Sequence, residues 1–194
     1  MSEMQALTQR EVLSVLKFAS DSKRNQVMIL LAFRHGLRAS EVCALKLGDV
    51  DLKNGTITIR RLKGSLKSTQ DLLDHPGQPL MCEKRLLRAW LGERETYHDA
   101  SDYLFLSQKG GKLDRSAFYR AFQQIAKRAG LPAGKQHPHC LKHSLGYFLV
   151  EQGVSLPSIQ QTLGHKSLAS TGVYLRVGDD RANKDSARAF GNGF

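Results

Sequence analysis

Cysteine is scarce in this chain: Cys43, Cys82 and Cys140 are the only three in 194 residues, an odd number with no Cys-x-x-Cys spacing. That argues against a disulfide framework and against a zinc ribbon. Each sits among apolar neighbours and reads as a small core residue. Long apolar runs are missing too. The longest, 27–33 (VMILLAF), falls far short of the roughly 20 residues needed to cross a bilayer. The first ten residues carry acidic and polar side chains and lead to no secretory cleavage site. Internal repeats and low-complexity tracts are absent. Acidic residues are in deficit, 18 against 29 Lys plus Arg, which leaves a net charge of +11 and a pI near 9.8. These absences point to a cytoplasmic, reduced protein with no membrane role. A chain this basic is drawn to polyanions by counterion release, so nucleic acid is the expected partner.

Hydrophobic residues make up 41% of the chain, enough for one real core. Thr8 with Glu11 three residues on forms a capping-box signature and predicts a helix to about Phe18. Residues 25–35 predict a buried helix ended by Gly36, and 39–47 a second one stopped by Gly48. Alternation over 50–60 around Asn54-Gly55 predicts a hairpin. The polar stretch 63–70 reads as a loop, with a third strand at 71–73. Helical spacing returns over 80–94 and 114–128, with a short extended piece at 103–106 between them. Three more helices are expected at 139–152, 156–163 and 167–177. The expected class is mainly α with a small three-stranded antiparallel sheet (α+β). One domain is expected over 1–178, followed by a flexible tail, 179–194, that is free to dock on a neighbouring protomer.

Four separated clusters carry chemistry. Gly36-Leu37-Arg38-Ala39-Ser40-Glu41 puts a guanidinium fork at a helix start, where it can hold two phosphate oxygens. Arg61-Leu62-Lys63-Gly64 lies at a hairpin end and offers a lysine to a groove. His137-Pro138-His139-Cys140-Leu141-Lys142-His143 opens a helix on which His139 and Lys142 share a face. Leu163-Gly164-His165-Lys166-Ser167 is followed nine residues after its histidine by Tyr174. Together they supply what metal-free phosphodiester cleavage needs: a nucleophile, cations at the non-bridging oxygens, and a proton donor for the leaving oxygen.

The order GLRASEV, KG, HCLKHS, LGHKS and then tyrosine resembles the tyrosine recombinase (phage integrase) family over nearly the whole chain. Within it, the chain resembles the short recombinases of the fimbrial phase-variation type, which are little more than a catalytic domain. The resemblance implies a site-specific recombinase acting on double-stranded DNA, as a homotetramer on that DNA and without metal, cofactor or ATP. It implies that Tyr174 is the nucleophile forming a 3′-phosphotyrosyl link and that Arg38 stabilises the pentavalent phosphate. It implies Lys63 as general acid for the 5′-hydroxyl, His139 beside the phosphate, His165 on a non-bridging oxygen, and Glu41 in a supporting position. A nucleoid-associated location follows. One residue departs from the pattern, since the family reads His-x-x-Arg where this chain has Lys142. Lysine keeps the charge but loses the planar two-point grip, so cleavage slower than that of an arginine version is expected.

Plainer readings stand beside these. Arg38 can be a surface arginine, and Lys63 a solvated one, with Lys67 competing for its role. His139 and His143 have a spacing that can bind zinc, but no third ligand accompanies them. His143 reads as a packed or helix-capping histidine, and Tyr174 can be a core aromatic. A type IB topoisomerase-like enzyme, a catalytically impaired DNA-binding regulator and, more weakly, an RNA-binding protein are the alternatives.

Overall fold

The computed structural model describes residues 5–61 and 68–175. Its centre is helix α2 (Lys23–Arg34), in which Gln26 to Phe33 are all buried. Ser22 caps it, its side chain accepting from the backbone N–H of Asn25 at 3.3 Å. A helix with apolar side chains all round must be covered on every side. Helices α1 (Gln9–Phe18), α4 (Glu83–Glu95), α5 (Arg115–Arg128) and α6 (His139–Glu151) supply that cover. From α4 come Leu86, Leu87 and Trp90, and from α6 come Cys140, Leu141 and Leu145. Trp90 stacks on Phe105 with ring centroids 6.2 Å apart and donates its indole N–H to the carbonyl of Leu104. The three cysteines are buried and free. The capping box at Thr8 and Glu11 opens α1 as its sequence predicts.

Beside the helices lies a small antiparallel sheet in the order β1 (Val50–Asp51), β2 (Thr56–Ile59), β3 (Ser68–Asp71). On β2, Ile57 and Ile59 face inward while Thr56 and Thr58 are only partly covered, the alternation a half-buried strand requires. The third strand forms three residues earlier than its sequence suggests. Ile59 pairs with Ser68 and Thr56 with Asp71, so strand β3 is built from polar residues. Its ladder to β2, and not hydrophobic patterning, holds it there.

Two predicted helices are cut short. In place of 39–47, α3 is a single turn, Ala39–Val42. The following segment is drawn off into pairing with residues 102–104: the Leu104 N–H donates to Leu45 O and the Leu47 N–H to Asp102 O, each at 2.8 Å. In place of 167–177, α8 spans Ala169–Gly172, and Tyr174 lies beyond it in a turn. Helix α7 (Leu156–Leu163) matches its prediction, with Ser155 as cap and Pro157 in its first turn. Among the described residues no helix is long and apolar enough to cross a membrane. The loop carrying Lys63 and Lys67 and the tail 179–194 lie outside the described residues.

Candidate active site

Strand β2 delivers the first component. Continuing its inward alternation past Ile57 and Ile59 puts Arg61 inside, and its side chain is completely buried. Nη1 donates to Gly36 O at 3.1 Å and to Glu41 Oε2 at 3.2 Å. Nη2 donates to His35 O at 2.9 Å and to Thr162 O at 2.5 Å. One guanidinium thus ties the end of α2, the start of α3 and the end of α7 together. Gly164 makes room for it. This residue sits at φ +63° as the left-handed cap of α7, and a Cβ there would lie 2.6 Å from Arg61 Nε. The strand parity of Arg61 was the signal that could have singled it out.

Glu41 is the counter-ion for two arginines. It accepts from the Arg38 backbone N–H at 2.8 Å, from Arg38 Nη1 at 3.1 Å and from Arg61 Nη1. Burial opposes its charge, but the Arg38 N–H and the surrounding Arg61, Lys142 and Arg38 cations win and hold its carboxyl below the usual range. Arg38 caps α3 and remains 44% exposed at the side chain, so its guanidinium is the one facing outward.

Lys142 points inward. Its side chain, on α6, is fully buried and Nζ donates to Leu163 O at 2.5 Å, next to the carbonyl that Arg61 uses. Burial, with Arg61 and Arg38 adding repulsion against the pull of Glu41, brings its ammonium down to about 7. His139 and Lys142 therefore share a helix turn, yet the lysine is engaged with protein backbone.

The second component is aromatic. His139, His143, Gly146 and Tyr147 fall at i, i+4, i+7 and i+8 on α6 and form one stripe. Tyr174 lies against it, 3% exposed. A Cβ on Gly146 would come within 2.5 Å of the Tyr174 ring, so only glycine leaves the seat open. Tyr147 meets the ring edge-on at 5.2 Å, and His165 stacks on its other side at 6.2 Å with planes 13° apart. His165 Nδ1 is 3.0 Å from Thr171 Oγ1, which fixes its ring. Burial, then Lys142, Arg38 and Arg61, depress the His165 imidazole to about 4. His139 is lowered by burial and then by Lys142, His137 and Arg38. The Tyr174 phenol is pushed up to about 12, chiefly by burial.

Arg38, Glu41, His139, Lys142, His165 and Tyr174 are thus gathered into one region. Two further residues join them that stand in the quoted clusters but were given no catalytic role there, Arg61 and His143. His143 neither caps a helix nor simply packs: its Nδ1 is 3.1 Å from Tyr174 Oη.

Comparison with known proteins gives this geometry a family. Residues 5–181 match the phage integrase family. The type 1 fimbriae regulatory protein FimB of Escherichia coli K12 is 40% identical over 172 residues, 87% of this chain and 82% of FimB. The crystal structure of XerA recombinase superposes with a TM-score of 0.81 at 27% identity, over 97% of this chain and 66% of that one. XerH site-specific recombinase bound to its difH substrate gives 0.77 at 28% identity, over 95% of this chain and 55% of that one. The chain therefore spans most of FimB but only about two thirds and half of the two solved recombinases. It belongs to the phage integrase family and is a site-specific tyrosine recombinase, an enzyme that breaks and rejoins DNA.

Proposed function

We propose that Tyr174 attacks a phosphodiester of double-stranded DNA, forming a 3′-phosphotyrosyl bond and releasing a 5′-hydroxyl. Arg38, the outward-facing guanidinium, binds the non-bridging oxygens with His165, while His139 lies beside the phosphate. Lys63 protonates the leaving oxygen. Glu41 and Arg61 hold Arg38 and the end of α7 in place. The ester conserves the bond energy, so a second 5′-hydroxyl reseals the strand without ATP or metal. Exchange between two duplexes requires four protomers, hence a homotetramer on DNA. The resemblance to FimB favours inversion of a segment as the outcome, and a nucleoid-associated site of action follows.

The observation supporting this reading is the convergence of one phenol, three imidazoles and a cluster of guanidinium and ammonium groups, drawn from sequence positions 38 to 174. Preorganised cations of this kind act where charge develops in the transition state, and losing one such donor typically costs about 10²–10³ in rate. Lys142 qualifies the picture. Half neutral near pH 7 and engaged with Leu163 O, it offers less charge to a phosphate than an arginine would. A nicked suicide duplex, selected from a random-sequence pool by covalent trapping, tests the proposal. Wild-type protein forms a slow-migrating adduct and Tyr174→Phe forms none. An adduct that persists in Tyr174→Phe refutes it.

A further inference from the structure

Building on the reading of Tyr174 as nucleophile, we propose that His143 is the catalytic base that takes the phenolic proton as Tyr174 attacks phosphorus. His143 lies one helical turn beyond His139 and touches the reacting oxygen itself. Among the described residues it is the group in hydrogen-bond contact with Tyr174 Oη. The other candidates are otherwise occupied: Glu41 holds two arginines, Lys142 donates to Leu163 O, and His165 Nδ1 is tied to Thr171.

The geometry sets the tautomer. For the phenol to donate to Nδ1, His143 must carry its proton on Nε2. The ring stands edge-to-face on His139, with centroids 4.4 Å apart. Charged and titratable groups around it are His137, His139 and Lys142 on its own stretch of chain, with Tyr174 and His165 from the segment after α7. Burial, and then His139, His137 and Lys142, hold the imidazole down to about 4, so it is neutral and available as an acceptor at physiological pH. The phenol is protonated in the DNA-free protein, and burial, which pushes its ionisation up to about 12, makes the neutral form still more favoured. Transfer accompanies bond formation. As Oη bonds to phosphorus, its O–H bond breaks and the proton moves to Nδ1. The bond from phosphorus to the 5′-oxygen breaks, and that oxygen takes a proton from the general acid. The incoming phosphate's negative charge favours the imidazolium formed. Resealing runs the steps backward, and His143 returns the proton to Tyr174.

His143→Asn separates taking a proton from merely holding the ring, because Asn Oδ1 can stand where Nδ1 stands and accept the hydrogen bond but cannot titrate. Single-turnover cleavage is measured from pH 4 to 9, low enough to reach an imidazole held near 4, on a nicked duplex selected with wild-type protein, with thermal melts verifying that each variant is folded. The expected result is a fall of about 10²–10⁴ in rate, the usual contribution of general acid–base catalysis, and loss of the wild-type acid limb. A rate within about threefold of wild type, or an unchanged acid limb, overturns the proposal. So does full activity in His143→Asn with loss only in His143→Ala, which would make the role positional. Nitrogen-15 NMR of the DNA-free protein provides an arm independent of cleavage. It should show a bare Nδ1 on His143 whose shift changes in Tyr174→Phe. A protonated Nδ1 with a bare Nε2 overturns the assignment. If wild-type protein traps no duplex, the nucleophile reading falls and this one with it, whereas trapping by wild type and by His143→Asn at equal rates removes only the base.

Discussion

The two halves of the site are built on opposite electrostatic plans. On one side, Arg38, Arg61 and Lys142 surround a single carboxylate, Glu41, and Arg61 and Lys142 take their remaining partners from backbone carbonyls at helix ends. On the other, His139, His143, His165 and Tyr174 sit in a stripe of rings that burial keeps uncharged. The first half has excess positive charge awaiting an anion; the second has protons that can move. Both are largely buried, with Arg38 in the first and His139 in the second left open to solvent. Desolvation strengthens the field of the cations and also keeps the phenol and imidazoles neutral until a phosphate arrives. The positive half accordingly depends on backbone ties, and the neutral half on ring packing around one glycine.

Breaking the charged half should cost the most. Arg61→Met strips Glu41 of one partner and leaves the carbonyls of His35, Gly36 and Thr162 short of a donor. Removing one member of a buried pair typically costs about 3–5 kcal/mol, so the denaturant midpoint should fall sharply. A loss near that of an exposed pair, below about 1 kcal/mol, would show that the clamp is not structural. Breaking the neutral half should cost less stability and remove activity. Gly146→Ala drives a methyl group into the Tyr174 ring, and a displacement of about 1 Å at a reacting group can cost on the order of 10²-fold. Trapping should fall by at least that factor, with a stability loss of about 1–3 kcal/mol from overpacking, smaller than that of Arg61→Met. Equal trapping would mean that the ring can sit elsewhere.

Lys142→Arg sharpens the comparison, because it replaces the one cation that burial half neutralises with one that stays charged. Trapping should become about tenfold faster, a fraction of what a full oxyanion donor supplies. An unchanged or slower rate would mean that Lys142 serves the α7 carbonyl and not the phosphate. Stability against pH should change as well. Lys142 titrates near 7 in the fold but near 10.4 unfolded, so between these the unfolded chain binds more protons and stability rises with pH. Its contribution is at most about 1.4 kcal/mol per pH unit, and Lys142→Met should flatten the rise between pH 7 and 9. His143 and His165 act on the acid side. Their folded values near 4 lie below the free value, so stability falls as pH drops from 6.5 toward 4. An acid limb identical in His143→Asn would contradict that assignment.

Most of this architecture was legible because strong local signals agree with the tertiary answer. The Thr8 cap, the apolar run inside α2, the Asn54-Gly55 turn and the helix at 156–163 all appear where their residues say. The failures share a cause. Strand β3 and the shortened α3 depend on pairing with other segments, β2 and residues 102–104, and the single-turn α8 gives way to the turn that seats Tyr174 against Gly146, none of which periodicity within one segment can see. The same divide runs through the site. Arg38, Glu41, His139, Lys142, His165 and Tyr174 stand in motifs a reader can quote. Arg61 and His143 stand in the same motifs, but the role of Arg61 was readable only from strand parity, and that of His143 only from its approach to a phenol 31 residues away in sequence.

The central claim is that the oxygen of Tyr174 becomes esterified to DNA. Wild-type protein trapped on a nicked duplex, digested with nuclease and trypsin and analysed by mass spectrometry, should give one modified peptide bearing a nucleotide on Tyr174. A nucleotide found on another residue, or an adduct of unchanged yield in Tyr174→Phe, would contradict it.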